Sequence, residues 1–235
     1  TGQQRLGRIA ERWFLKMGAN VAISQAVQQH YQQCYGECPC IIYNGVPQVM
    51  QQPYPQLHPG KVNVLFAGRL EPQKGIATLI RIIEELASDA RYHFHVMGDG
   101  SLRSEVQQHL SALPNVTVVP PLHGLSSFLS SFDYMLMPSE FEGLSIVSIE
   151  PSTAPLPHTI TDAPGSGETL PPDWPLKAQR NELDAYLRLF REVIPAANRS
   201  SLQQQCKQYA VANFGVESMQ QRYEARFTVP FESCS

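Results

Sequence analysis

No apolar run in this 235-residue chain approaches the roughly 20 residues that a membrane-spanning helix requires, so passage through a bilayer is not the reading. Charge is scarce as well. Charged residues make up 17% of the chain, and 18 basic against 21 acidic side chains leave a net charge of -3. No overall field draws nucleic acid, and any phosphate contact must come from local geometry. The five cysteines are odd in number and irregular in spacing, and no apolar leader starts at Thr1. Both favour a reducing compartment, the cytoplasm, over secretion. What is present is a hydrophobic fraction of 43%, enough to bury the core of one large domain or one and a half small ones. The first residue is Thr rather than Met, inside what reads as a basic helix, which suggests a piece of a longer chain.

Residues 3–17 place Leu6, Ile9, Ala10, Trp13 and Met17 at helical spacing, with Arg5, Arg8, Arg12 and Lys16 on other faces. Such a helix packs on a neighbouring domain or lies peripherally on the inner face of an anionic membrane. A short apolar stretch, 19–23, leads to Ser24, a good N-cap for a polar helix to about Gln33. A brief strand at 41–43 closes on Asn44-Gly45. Residues 47–60 turn to Pro, Gln and Tyr without period and read as a linker. Beyond it apolar runs alternate with helical patterns: strands at 62–66, 92–97, 116–119, 133–137 and 158–161, and helices at 76–87, 102–112, 124–131 and from about 145. That alternation predicts an α/β fold, a Rossmann-like doubly wound parallel sheet over 61–212. The expected divisions are 1–46 as the tail of a preceding domain, 47–60 as linker, 61–212 as the main domain, and 213–235 as a terminal helix packing back on the first part.

In such a sheet the ligand sits at the carboxyl ends of the strands. The first of those loops, Gly68 to Gly75, sets Arg69 and Lys74 between glycines ahead of a helix N-terminus, a combination that favours bound phosphate. It reads equally as a solvated turn, and the Gly-Lys-Ser/Thr order of a Walker A loop is absent. The second, Gly98-Asp99-Gly100-Ser101-Leu102-Arg103, has Arg103 where a dinucleotide fingerprint needs its third glycine. It is instead a turn in which Gly98 admits a ligand closely and Ser101 caps the next helix. After residue 137, Glu142 precedes a helix whose first amides are those of Gly143, Leu144 and Ser145, and Glu150 follows two turns later. Two carboxylates can each grip a vicinal diol, although Glu142 as a helix-dipole partner and Glu150 as a surface residue is the plainer alternative.

In this order and spacing, G-R-L-x-x-x-K-G at 68–75, G-D-G-x-L-R at 98–103, P-S-x-x-E-G at 138–143 and the glutamates 142 and 150 resemble the retaining GT-B glycosyltransferases of group 1, or family 4. Asn44-Gly45, Thr161-Asp162 and the Phe214, Met219, Tyr223 helix add to the resemblance. It implies that Arg69 and Lys74 neutralise the donor diphosphate, and that Glu142 holds the sugar hydroxyls. It also implies that Glu150 holds the ribose and that Gly68, Gly98, Gly143, Leu144 and Ser145 line the donor site. The base would lie near 119–122. The implied reaction moves a hexose from a UDP or GDP sugar to a glycan or lipid-linked acceptor with retention, in cell-envelope polysaccharide or lipopolysaccharide synthesis. No metal cofactor is implied, and no Asp-x-Asp pair occurs. The acceptor site and a catalytic histidine would belong to an absent N-terminal half, so this chain should bind donor and transfer nothing alone.

Departures from the pattern are Pro151, which disfavours α geometry at Glu150, the Ala154-Pro155-Leu156-Pro157 stretch, and residues 162–168, where donor choice is read. A GT-B epimerase or hydrolase, a dinucleotide oxidoreductase and a nucleotide-binding module without turnover are the competing readings. His30, Cys34, Cys38 and Cys40 match no standard zinc spacing, and His93, His95, His109 and His123 have no carboxylate or serine at useful spacing.

Overall fold

A computed structural model of the chain describes residues 20–140, 149–150, 154–163, 165–180 and 182–228. The helix expected at 3–17 lies outside them. Two short parallel strands come first, β1 (Val21–Ala22) and β2 (Cys40–Ile41), joined by helix α1 (Gln25–Tyr35). The Ser24 hydroxyl accepts from the Val27 amide at 3.1 Å, the expected cap, and Gly36 at φ 74° ends the helix.

The main sheet has six parallel strands: β3 (Val62–Arg69), β4 (Tyr92–Asp99), β5 (Val116–Val119), β6 (Tyr134–Met137), β7 (His158–Asp162) and β8 (Lys177–Gln179). Their order is β5-β4-β3-β6-β7-β8. The chain winds outward from β3 to β5, then returns to lay β6 on the other side of β3. The strand order therefore reverses between β3 and β6, and in such a sheet ligands sit beyond the carboxyl edge of the strands. Val64, Leu65, Phe94, Val96, Met135 and Leu136 are buried, as continuous apolar strands covered on both faces require.

Helix α2 (Ile76–Glu85) buries Ile76, Leu79, Ile80 and Ile83, spaced as one helical face, and Ile82 besides. Its flank also packs on α3 (Arg103–Leu110) and α4 (Leu183–Arg188), which widens the covered arc. The α4 helix continues through a π-turn, Leu189–Val193, into Ile194–Ala196. Pro195 has no amide to give and crowds the carbonyl four residues back, so the wider turn relieves it. Two further helices, α5 (Arg199–Phe214) and α6 (Val216–Thr228), close the described chain.

One expectation changes. The helix expected at 124–131 is a pair of 3₁₀ turns, Leu125–Ser127 and Leu129–Ser131. Its serines bond carbonyls instead of leaving the backbone to wind: Ser127 donates to Gly124 at 2.8 Å and Ser131 to Gln52 at 3.0 Å. Residues 47–60 run along those turns. The Gln52 amide donates to the Ser127 carbonyl at 2.7 Å, the Tyr54 amide donates to Ser131 Oγ at 2.8 Å, and the Tyr54 ring lies 5.2 Å from Phe132 within the core.

A second, smaller apolar cluster joins Val46, Ile149, Ala210 and Phe214. There the Val46 amide donates to the Phe214 carbonyl at 2.9 Å, the Gly45 amide donates to Met219 Sδ at 3.1 Å, and Tyr43 meets Phe214 edge-on at 5.2 Å.

Candidate functional site

At the carboxyl edge the β3, β4 and β5 exits enclose a cleft of about 340 Å³, at the lower end of the usual range for ligand sites. Gly68, Arg69 and Lys74 come from the first exit, Gly98 and Asp99 from the second, and Pro121, Leu122 and Leu125 from the third. Its floor is bare backbone, because the register sets Gly68 beside Gly98 and a Cβ on Gly98 would run into the Gly68 carbonyl. One wall is cationic and the other apolar. Among the described residues no carboxylate forms an ion pair with Arg69.

The β3 exit is tightly wound. Pro72–Lys74 form a 3₁₀ turn, with the Lys74 amide donating to Glu71 and the Gly75 amide to Pro72, each at 2.9 Å. Gly75 has φ 67° and begins α2, and a Cβ there would fall on the Pro138 carbonyl at the β6 exit. The Glu140 amide donates to the Gln73 carbonyl at 3.0 Å, which joins the same two exits. Gly75→Ala is therefore expected to lower the unfolding free energy by on the order of 1–3 kcal/mol. A urea titration reads this, and an unchanged midpoint would show that the turn tolerates a side chain.

At the β4 exit the structure corrects one expectation. Ser101 does not cap α3, whose N-cap is Leu102 with no side-chain bond. Instead Glu71 accepts from both the amide and the hydroxyl of Ser101, at 2.9 and 2.6 Å. These bonds, the Ser101 hydroxyl first, hold the Glu71 carboxyl below its usual range. Arg103, in the place of a third glycine, pairs with Asp99 at 3.2 Å.

Of the predicted site residues, Gly68, Arg69, Lys74 and Gly98 converge on the cleft. Glu142, Gly143, Leu144 and Ser145 lie outside the described residues, as does Pro151. Glu150 is half-buried, and burial pushes its carboxyl up. Its backbone is helical despite the following proline, and its carbonyl accepts from the Ala154 amide at 3.0 Å. In the 162–168 stretch, Glu168 faces α1: it accepts from the Gln25 and Ala26 amides at 2.6 and 2.9 Å and from the Tyr43 hydroxyl at 3.2 Å. A carboxylate on the first amides of a helix is well placed against its dipole. Burial, then the Glu168 charge, raises the Tyr43 hydroxyl.

Sequence reasoning missed the roles of Glu71 and Glu168, since both depend on contacts between distant loops. The histidines divide. His93 meets Thr117 Oγ1 at 2.8 Å and His95 meets Asn63 Oδ1 at 2.9 Å, while His109 has a carboxylate partner after all, Glu84 at 2.8 Å. His30 and Cys34 approach to 3.7 Å, but no third ligand joins them among the described residues. Among the described residues no helix is long and apolar enough to cross a membrane.

The family model described as "Glycosyl transferases group 1" matches residues 61–184, over half of the chain. An uncharacterized glycosyltransferase of Methanocaldococcus jannaschii is 25% identical over 170 residues, covering 68% of this chain and 46% of the relative. The O-antigen biosynthesis glycosyltransferase WbnH of Escherichia coli is 26% identical over 129 residues, 55% of this chain and 36% of that one. This chain thus spans less than half the length of either relative. Among solved structures, Anabaena HepE in complex with UDP superposes with a TM-score of 0.76 at 18% identity, covering 89% of this chain and 63% of that one. That likeness is one of fold.

Proposed function

The chain belongs to the group 1 glycosyltransferases, and on that premise we propose that its cleft takes the nucleoside diphosphate of a UDP or GDP sugar. The observation that carries this reading is the joining of Arg69 and Lys74 to a floor of bare glycine backbone, beside an apolar wall, at the carboxyl ends of three neighbouring parallel strands. The cations neutralise the diphosphate. The apolar wall at Pro121, Leu122 and Leu125 shelters a base. A fold neighbour crystallised with UDP supports the choice of ligand.

In the transfer itself, negative charge grows on the departing diphosphate as the glycosidic bond breaks. Fixed cations stabilise that charge more than they stabilise the intact donor, which lowers the barrier. This role asks no metal of the site. Glu142 then holds sugar hydroxyls and Glu150 the ribose diol, with the amides of Gly143, Leu144 and Ser145 completing the donor grip. Configuration is retained, and the acceptor is a glycan or lipid-linked sugar of the cell envelope, a setting supported by the O-antigen enzyme among the relatives. Residues 1–46 are the tail of an acceptor-side domain. The helix from 213 packs back on them, as the contacts of Tyr43, Gly45 and Val46 with Phe214 and Met219 support. The enzyme works in the cytoplasm, peripheral to the membrane, and this chain alone binds without transferring.

Calorimetric titration with UDP and with GDP tests the reading. Saturable heat with one of them is the expected result, and no heat with either would overturn it.

A further inference from the structure

We propose that Glu71 is a positioning residue for the diphosphate. Held on Ser101, it braces the loop that carries Arg69 and Lys74 against the loop that carries Gly98 and Asp99. The inference rests on the donor-site reading above.

The two loops leave neighbouring strands in register, Gly68 beside Gly98 and Arg69 beside Asp99. Past that point the ladder ends and something else must keep them together. Two backbone bonds do part of this: Leu70 donates to the Asp99 carbonyl at 2.8 Å and Leu102 to the Leu70 carbonyl at 2.9 Å. Both anchor the buried Leu70 and leave the outer turn unattached. Glu71 supplies the outer tie through two acceptor oxygens on one residue, Ser101. Its own carbonyl meanwhile accepts from the Lys74 amide at 2.9 Å. The residue therefore joins the backbone that carries one phosphate cation to the opposite rim of the cleft. A carboxylate accepting two hydrogen bonds stays ionised, which keeps both bonds charge-assisted. Engaged on Ser101 through both hydrogen bonds, that negative charge feels Arg69 only as a smaller, through-space attraction.

This geometry predicts a particular pattern of loss. Glu71→Ala should weaken UDP binding by about tenfold and Ser101→Ala by less, because the Ser101 amide still donates to Glu71, while the double variant is no weaker than Glu71→Ala, which already removes the whole tie. Ser101→Thr keeps amide and hydroxyl and should bind as the unsubstituted chain does. UMP, which lacks the outer phosphate, should lose less affinity than UDP in each alanine variant. Calorimetry with UDP and UMP reads all of this, and thermal melting confirms that the variants are folded. Equal losses for UDP and UMP, additive effects, or a Thr variant as weak as the Ala variant would overturn the brace. Tighter UDP binding by Glu71→Ala would overturn it too, since the ligand would then be sensing the carboxylate charge rather than its hold on Ser101. If the unsubstituted chain binds neither UDP nor GDP, the donor-site reading falls and takes the brace with it. Full binding by the variants alone sinks the brace and spares the reading.

Discussion

Replacing Arg69 by alanine is expected to weaken UDP binding by about 10- to 100-fold, and replacing Lys74 by alanine to do so comparably. Hydrogen bonds to charged groups contribute roughly 1.5–3 kcal/mol, which converts to that range. The two cations should not behave alike in detail. Arg69 presents a planar fork that can bind two phosphate oxygens at once, so Arg69→Lys should recover only part of the affinity. Lys74 acts as a point charge on a tightly wound turn, and Lys74→Arg would have to find room beside Gly75. Arg69 is exposed, so its contribution should shrink as salt rises from 0.05 to about 0.5 M, where the screening length falls to a few ångströms. Calorimetry at two ionic strengths reads both effects. Unchanged affinity in Arg69→Ala and Lys74→Ala would remove them from the diphosphate site.

Acid should unfold this chain earlier than its carboxylates alone would require. Burial, with the nearby His58 and Lys61, lowers His93 to about 4. Burial, with the neighbouring His93 and His58, lowers His95 to about 3. Burial also takes His158 to about 4, against a smaller opposing effect from the Leu156 carbonyl. The His58 and His93 rings stack at 3.4 Å, so charge on His58 makes protonating His93 harder. Each buried ring is neutral when folded but takes a proton near pH 6.5 when unfolded. Above that pH neither state binds the proton and stability is flat. Below it the unfolded chain gains protons that the folded one refuses, so stability falls until the folded values near 4 and 3 are reached. Each histidine should cost on the order of 1 kcal/mol per pH unit across that window. Glu150 acts the other way, since its raised carboxyl adds stability as pH falls through it. Three histidines outweigh one half-buried carboxylate, and the melting temperature should drop steeply between pH 6.5 and 5. A flat profile there would show that the rings are solvated.

The central strands were legible because β3 and β6 are mostly apolar along their length and β4 sets Tyr92, Phe94 and Val96 at every second place, patterns that need no knowledge of neighbours. The cleft was legible for a related reason. Gly68, Arg69, Lys74 and Gly98 sit at strand ends, and the alternation of elements is enough to bring strand ends together. Strand β8 was not: three residues with Ala178 buried carry no period, and its place comes from pairing with β7. The serine turns at 124–131 have helical apolar spacing, but their hydroxyls compete for carbonyls, a preference that apolar periodicity does not weigh. Ser101 was assigned to the nearer backbone because the carboxylate that claims it is 30 residues away in sequence. Glu168 lies still farther from the amides it holds, 143 and 142 residues along the chain.

The polypeptide passes twice through the place where Val46 meets Phe214. The two passes lie side by side, tied by a backbone bond, and so close that a side chain on Gly45 would strike the Val216 backbone 2.7 Å away. A single strand of backbone swivels like a ball joint. Two parallel passes fastened together bend about one line and resist twist, as a door does on a pair of knuckles. Any flexing between residues 20–45 and the main sheet must bend both at once, so the fold itself restricts the direction in which that segment can move against the sheet.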